Sequence, residues 1–268
     1  MPRSTTSEPS FPCRLCGSLR LRLFYTQGNE DQYRFYRCAD CRLVNYDLAG
    51  GLNQEKYADT RIAPRDDAHP GNRGATLTFR AVLRLLPPPA RLLDLGCGNG
   101  RLLHLAREAG YEVRGLELSP SLAAWTYAEL GIEIVAGDFL TVDPGGTHDI
   151  VILRHVLEHL PDPRRAMTRL HGLLRDGGHA VLEFPNIDGI GPAWKRWLRR
   201  TGLHRRRYPA AYVPGHCHEY ARDSFEALLA RTGFRLISWR TYSLHPVVDA
   251  IYGAFPVGDK VRAVVRRA

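Results

Sequence analysis

The chain predicts an α/β fold built on a mostly parallel sheet, preceded by a small cysteine-bearing module. Three observations carry this expectation. Short apolar strands alternate with helical segments from residue 76 to residue 242, and such alternation places parallel strands between two layers of helices. The stretch Arg91-Leu-Leu-Asp-Leu-Gly-Cys-Gly-Asn-Gly100 runs a buried strand into a glycine turn and then a helix, the form in which open sheets present ligand sites. Four of the six cysteines fall in two Cys-x-x-Cys pairs, Cys13 with Cys16 and Cys38 with Cys41. That spacing, in a chain that opens without a secretory signal, reads as metal ligands.

In chain order, residues 1–11 form a polar, disordered tail and 12–45 the cysteine module. Leu19 to Tyr25 alternates as a strand does, Gln27-Gly-Asn29 turns, and Tyr33 to Cys38 returns. Four thiolates on two tight knuckles close a tetrahedral Zn²⁺ site with no open position, so the metal is structural. A segment this short has no core of its own, and metal binding would supply its folding energy. The module resembles a zinc ribbon. Residues 46–75 are a polar linker folding over the ligand site, with Tyr57 and Arg61 as surface residues within reach. A helix is expected at Thr76 to Leu86, stopped by Pro87-Pro-Pro89.

Strands follow at Arg91–Leu95, Tyr111–Glu117, Ile132–Ala136, Asp149–Arg154 and His179–Phe184. Helices are expected at Arg101–Ala109, from Ser119-Pro120 onward, and at Arg164–Leu174. Residues 186–215 break the rhythm as a basic, aromatic lid, and Ser224–Thr232 and Phe234–Tyr242 add a helix and an edge strand. Residues 244–268, with mixed apolar and basic character, are expected to be a helical tail packed on the body.

The glycine spacing is Gly-x-Gly-x-Gly, and an acid precedes it. An acid there would repel a pyrophosphate but suits an ammonium group. Asp94-Leu-Gly-Cys-Gly-Asn-Gly100 resembles the cofactor loop of class I S-adenosylmethionine-dependent methyltransferases. The resemblance covers about Thr76 to Tyr242. It implies a Rossmann-like sheet, mostly parallel with an antiparallel edge hairpin. It also implies Gly96 and Gly98 beside the methionine, Glu117 on the ribose, and Asp138 with Phe139 at the adenine. Asp94, Cys97 as a small loop residue, Leu118 and Arg154 complete the expected cofactor set.

The acceptor chemistry is an in-line displacement on a methyl sulfonium, so the protein must align the acceptor and remove a proton where needed. Candidates follow the fourth strand in Arg154-His155-Val-Leu-Glu158-His159. His155, Glu158 and His159 are spaced to share a helix face. The pattern matches the His-x-x-Glu-His of some metalloproteases, but its place after a strand of a cofactor-binding sheet excludes that reading. Many small-molecule methyltransferases have a similar run, in which Glu158 and His159 would fix the turn. His155 is the catalytic candidate here. Ubiquinone-pathway O-methyltransferases and small-RNA 3′-end methyltransferases have Glu-x-x-Glu-His at this place and bind a divalent metal. His155 in place of the first Glu weakens the case for Mg²⁺ but permits a softer metal. The second candidate is His216 in Pro214-Gly-His-Cys-His218, placed like the general base of sugar C-methyltransferases.

The net charge of +9 comes almost wholly from arginine, which favours anionic partners. The expected acceptor is a small biosynthetic intermediate, such as a sugar, a nucleotide-linked sugar or another natural-product precursor, and an anionic or phosphorylated one would suit the arginines of the lid. The alternative is an RNA methyltransferase using the ribbon to hold RNA, but no Asn/Asp-Pro-Pro-Tyr motif follows the fourth strand. A zinc-ribbon adaptor with a degenerate body is disfavoured by the intact acids and glycines. No apolar run reaches the ~18 residues of a membrane span, so a cytoplasmic protein without a membrane partner is expected.

Overall fold

The computed structural model describes residues 9–54, 61–203, 206–243, 249 and 257–268. Most of the expected disordered tail, and Tyr57, lie outside the described residues. The N-terminal module is an antiparallel sheet of β1 (Leu21–Gln27), β2 (Tyr33–Cys38) and β3 (Val44–Tyr46). The body follows with α1 (Pro70–Leu85), β4 (Arg91–Leu95), α2 (Arg101–Glu108), β5 (Glu112–Glu117), α3 (Pro120–Leu130), β6 (Ile134–Ala136), β7 (His148–Arg154), α4 (Pro163–Leu173) and β8 (Leu174–Pro185). Then come α5 (Ile190–Arg200), β9 (His218–Glu219), α6 (Arg222–Leu229), β10 (Phe234–Tyr242) and β11 (Lys260–Arg267).

The large sheet runs β10-β11-β8-β7-β4-β5-β6. Strands β4 to β8 are parallel neighbours, and β11 is antiparallel to both β8 and β10. Because β4 and β7 are covered on both faces, they read as continuous apolar runs. Leu93, Leu95, Val151 and Leu153 enter one core, while Leu92, Ile150 and Ile152 enter the other. The strand order reverses at β4, from which the chain goes outward to β5 and β6 and then returns to β7 on the other side, and this is where an open α/β sheet leaves a crevice.

Local chemistry explains the helix starts. The Ser119 hydroxyl accepts the Leu122 N–H at 3.3 Å, and the Asp162 carboxylate accepts the Arg165 N–H at 2.9 Å. Helix α1 begins at Pro70, six residues before the expected Thr76, because His69 Nδ1 accepts the Gly71 N–H at 3.0 Å and acts as its cap.

One expectation is corrected, and the module proves to be joined to the body. The tail is not helical over residues 260–267: these form β11, which is inserted between β8 and β10. Val261, Ala263 and Val265 are buried on one face, as period-two alternation requires. Arg262, in mid-strand, disguised the pattern; it is buried and paired with Glu183. Residues 244–248 and 250–256 of the expected helix lie outside the described residues. The ribbon is also not a separate bead. Strand β9, from deep in the body sequence, pairs with β3 and completes a four-stranded sheet. Cys13, Leu15, Leu21, Tyr36, Cys38 and Leu43 share one continuous core with Leu93, Leu153 and Phe184 of the body.

Candidate active site

Asp94, next to last in β4, is only 3 % exposed. Burial raises its carboxyl to about 7, an effect that the Arg154 charge moderates. Its Oδ1 is buried without a hydrogen-bond partner, an arrangement that favours an incoming cation or donor. The turn after it has Gly96 at φ 72° and Gly98 at φ 54°, backbone that a side chain adopts only with strain. A Cβ on Gly96 would lie 2.6 Å from Val156 Cγ2, whereas one on Gly98 would enter open space. Gly98 therefore marks where a ligand can lie against bare backbone. Cys97 is a buried filler whose thiol is pushed up by burial.

Glu117 ends β5, and two backbone donors hold its carboxylate. The Gly98 N–H donates to Oε2 at 2.9 Å and the Ser119 N–H to Oε1 at 3.0 Å. The acid is thus fixed at the mouth of the glycine turn. Leu118 beside it is 61 % exposed. Asp138 is exposed and accepts the Leu140 N–H at 2.9 Å, so it shapes its own turn. Phe139 is buried in the main core, which leaves Leu118 as the open apolar surface next to Glu117. Residues 62–72 fold onto the turn: Asn99 Nδ2 donates to Ile62 O at 2.9 Å and to Asn72 Oδ1 at 2.8 Å. Arg101 donates to Pro64 O at 3.0 Å and pairs with Asp67. Arg61 is exposed.

Arg154 ends β7, but its guanidinium is engaged below the surface. Its Nε–H donates to Glu183 Oε2 at 3.0 Å. Glu183 is fully buried in β8 and also takes Arg262 Nε at 2.5 Å, Thr78 Oγ1 at 2.7 Å and Tyr242 OH at 3.0 Å. Burial opposes ionisation of Glu183, but Arg154 and Arg262 overcome it and hold the carboxyl down at about 2. Sequence reasoning passed over this network. The signal was an acid inside the apolar run Ala180-Val-Leu-Glu-Phe184, and such an acid needs buried partners.

The acceptor-side candidates converge. His155 takes φ 55°, rare for a residue with a Cβ. Its N–H donates to Glu183 O at 2.7 Å, and its Nδ1 lies 3.3 Å from Glu158 Oε1. Glu158 is 1 % exposed, with Oε2 lacking a hydrogen-bond partner. Burial opposes its charge, but the His155 hydrogen bond and the neighbouring His216 and His159 hold its carboxyl below the ordinary value. His159 donates its Nδ1–H to Gly215 O at 2.7 Å, which places the ring lone pair on Nε2. Its ring meets that of His216 edge to face, with centroids 4.8 Å apart. Burial lowers the His159 pKa, favouring the neutral ring. Ligand atoms of Glu158, His159 and His216 all lie within 4.8 Å of one another. The structure thus brings together His155 and His216, proposed separately from sequence, around Glu158. His218 stays apart: it is fully buried, its Nε2 lies 3.0 Å from Pro161 O, and burial drives its pKa down to about 3.

Among the described residues, Arg196 and Arg199 of the lid are engaged elsewhere. Arg196 donates to Ile187 O at 2.7 Å and lies over the Phe24 ring, while Arg199 pairs with Asp31 of the ribbon. They clamp α5 to the module instead of forming an anion pocket. In the module, Cys13 and Cys41 sulfurs are 3.4 Å apart and Cys16 and Cys38 sulfurs 3.6 Å. All four lie within 4.8 Å of one another. A tetrahedron with Zn–S bonds of about 2.3 Å has edges of about 3.8 Å, so the donor set fits zinc. The Cys41 thiol holds the Cys13 thiol below its ordinary value by hydrogen bonding to it, so one thiolate is already favoured.

Sheet order, glycine turn and the acids at successive strand ends define a class I S-adenosylmethionine-dependent methyltransferase. Residues 72–238 match the methyltransferase domain family, and the chain belongs to it. It is 33 % identical over 171 residues to a ubiquinone biosynthesis O-methyltransferase of Xanthomonas axonopodis pv. citri, covering 59 % of this chain and 71 % of that protein. It is 30 % identical over 172 residues to a trans-aconitate 2-methyltransferase of Methylobacterium radiotolerans, covering 62 % and 65 %. Among solved structures it resembles the magnesium protoporphyrin IX methyltransferase of Synechocystis PCC 6803, determined with bound SAH. There the TM-score is 0.55 at 17 % identity, covering 80 % of this chain and 92 % of that one. The PH0226 protein of Pyrococcus horikoshii OT3 gives 0.58 at 16 %, covering 80 % and 99 %. At these identities the structures bear on the fold alone.

Proposed function

We propose that the chain methylates an oxygen of a small biosynthetic intermediate, and that the cluster around Glu158 handles the acceptor's proton. The relatives named above as O- and 2-methyltransferases support the class of acceptor. The observation that carries the reading is the arrival of His216, from the loop before β9, beside Glu158 and His159 at the end of β7. In this reading Asp94 and Gly98 seat the methionine end of S-adenosylmethionine, Glu117 takes the ribose hydroxyls, and Asp138 with Leu118 borders the adenine. The cofactor supplies an electrophilic methyl group on sulfur. A neutral imidazole, His216 or His155, accepts the hydroxyl proton as the oxygen takes the methyl. Glu158 holds the resulting imidazolium. The four ribbon cysteines hold a structural zinc.

A specific observation favours a second reading of the same cluster. Glu158, His159 and His216 present ligand atoms close enough for one divalent ion, with His155 beside them. Imidazoles suit borderline metals better than Mg²⁺.

The deciding experiment is His216→Ala and His155→Ala in a methyl-transfer assay, with cofactor binding measured by calorimetry. A general base predicts kcat lower by about 10²–10⁴ with cofactor affinity unchanged. Lost cofactor affinity would remove the role. Activity abolished by mild chelation and restored by a borderline divalent ion would assign the histidines to a metal. Labelled methyl transfer into RNA but not into a small-molecule extract would make the protein an RNA methyltransferase.

A further inference from the structure

Helix α5 is amphipathic in the inverted sense. It contains no buried residue. Ile190, Trp194 and Trp197 recur at i, i+4 and i+7, so they share one face. They are 56 %, 57 % and 47 % exposed, and Leu203 just beyond the helix is 70 % exposed. The two indoles stack at 4.7 Å with an interplanar angle of 22°, making one apolar ridge. The face turned to the protein is the charged one, where Arg196 and Arg199 grip Ile187, Phe24 and Asp31. A helix packed for water alone would place these residues the other way round. Contiguous exposed apolar surface of this kind marks an interaction site.

Charge identifies the partner. Between Asp188 and Glu219 the sequence has seven Lys and Arg and no Asp or Glu. Lys195 and Arg200 on the helix are exposed, Arg200 reaching the Phe24 carbonyl at 3.4 Å, and Arg206 and Arg207 beyond it are exposed too, Arg206 over the Tyr208 ring. A second copy meeting this face about a two-fold axis would oppose basic rim to basic rim. Nucleic acid would use the charges, but the aliphatic Ile190 and Leu203 have no base-stacking role. Tryptophan with aliphatic side chains on one helix face, bordered by Lys and Arg, matches the interface of an anionic bilayer.

We propose that α5 and the turn after it are a membrane-surface contact for anionic lipid. Ile190, Trp194, Trp197 and Leu203 enter the boundary between headgroups and acyl chains, and the four basic residues rest on the headgroups. No helix among the described residues is long and apolar enough to cross a membrane, and this contact needs none. It revises the sequence-based expectation of no membrane partner, which rested on the lack of a span. The proposal does not depend on the identity of the acceptor.

The test is co-sedimentation of the full chain with phosphatidylcholine vesicles, with and without phosphatidylglycerol, at low and at physiological salt. Tryptophan quenching by brominated lipid is read in parallel. Binding to the phosphatidylglycerol vesicles is expected, with indole quenching and weakening by salt. The W194S/W197S double variant should reduce binding about tenfold or more while keeping cofactor binding, because these residues are outside the catalytic cluster. Three outcomes overturn the proposal. One is no binding to anionic vesicles at low salt. Another is binding that the double variant retains without quenching, which is mere charge adsorption. The third is concentration-dependent dimerisation, or RNA binding, that the double variant abolishes while vesicle binding persists.

Discussion

At Asp94 the proposed cofactor role and stability oppose each other. Its folded carboxyl sits near 7, above the unfolded value of 3.8. The folded state therefore binds more protons between these values, and stability falls as pH rises from about 4 to about 7. Above that window the cost is constant. Asp94→Asn removes it, so the cofactor-free variant should melt higher than the parent at pH 8 and equal to it near pH 3. Calorimetry should show the same variant losing cofactor affinity. A melting temperature unchanged at pH 8 would mean that the carboxyl is not strained. Glu183 is the opposite case, because its charge is fully partnered. Removing Arg262 as Arg262→Met leaves it less neutralised, and urea unfolding should show a loss of about 3–5 kcal/mol. Asp94 and the glycines were readable from sequence because a turn is local. The grouping of His155, Glu158 and His159 was also readable from their spacing, but the arrival of His216 beside them was not, since no spacing rule connects a loop before β9 to the end of β7.

At the scale of elements, the ribbon reaches the acceptor cluster through a short series of contacts. Asn45 in β3 donates to Cys13 Sγ at 3.6 Å and accepts the Arg14 N–H at 3.1 Å. It pairs across the sheet with His218 of β9. The adjacent Tyr46 N–H donates to Cys217 O at 3.0 Å, and the Cys217 N–H donates to Glu158 O at 2.8 Å. A zinc held in the knuckles would thus brace the loop carrying His216. Metal analysis should find about one zinc per chain. Removing it with a strong chelator should lower kcat while cofactor affinity, read by calorimetry, changes little, because Asp94 and Glu117 lie on other strands. An equal loss of both would mean that the module holds the whole body together. Asn45→Ala should act the same way more weakly, at about 1–3 kcal/mol of stability. The strands β4, β2 and β10 were readable because each carries a short apolar or alternating run bounded by turn signals. Strand β11 was missed because its pairing is wholly non-local and a buried arginine sits at its centre.

At the scale of the whole molecule, the two sheets share the larger of its buried cores. The ribbon sheet borrows β9 from the body, and the body sheet borrows β11 from beyond its own edge strand. Shortening the chain to residue 258 would strip both neighbours of β11 and leave β10 without a partner. Circular dichroism and proteolysis should show such a chain unfolded, since Val261, Ala263 and Val265 are all buried in the shared core. Chemical order of synthesis gives the placement of β11 a further meaning. Strand β10 leaves the ribosome before the strand that joins it to the sheet, and β3 leaves long before β9. A nascent chain therefore exposes the edge of β3 until β9 emerges, and the edge of β8 until β11 emerges. Such edges invite wrong pairing and chaperone capture. Yield in the cell is expected to depend on how quickly residues 260–267 follow the rest, a timing constraint written into the strand order.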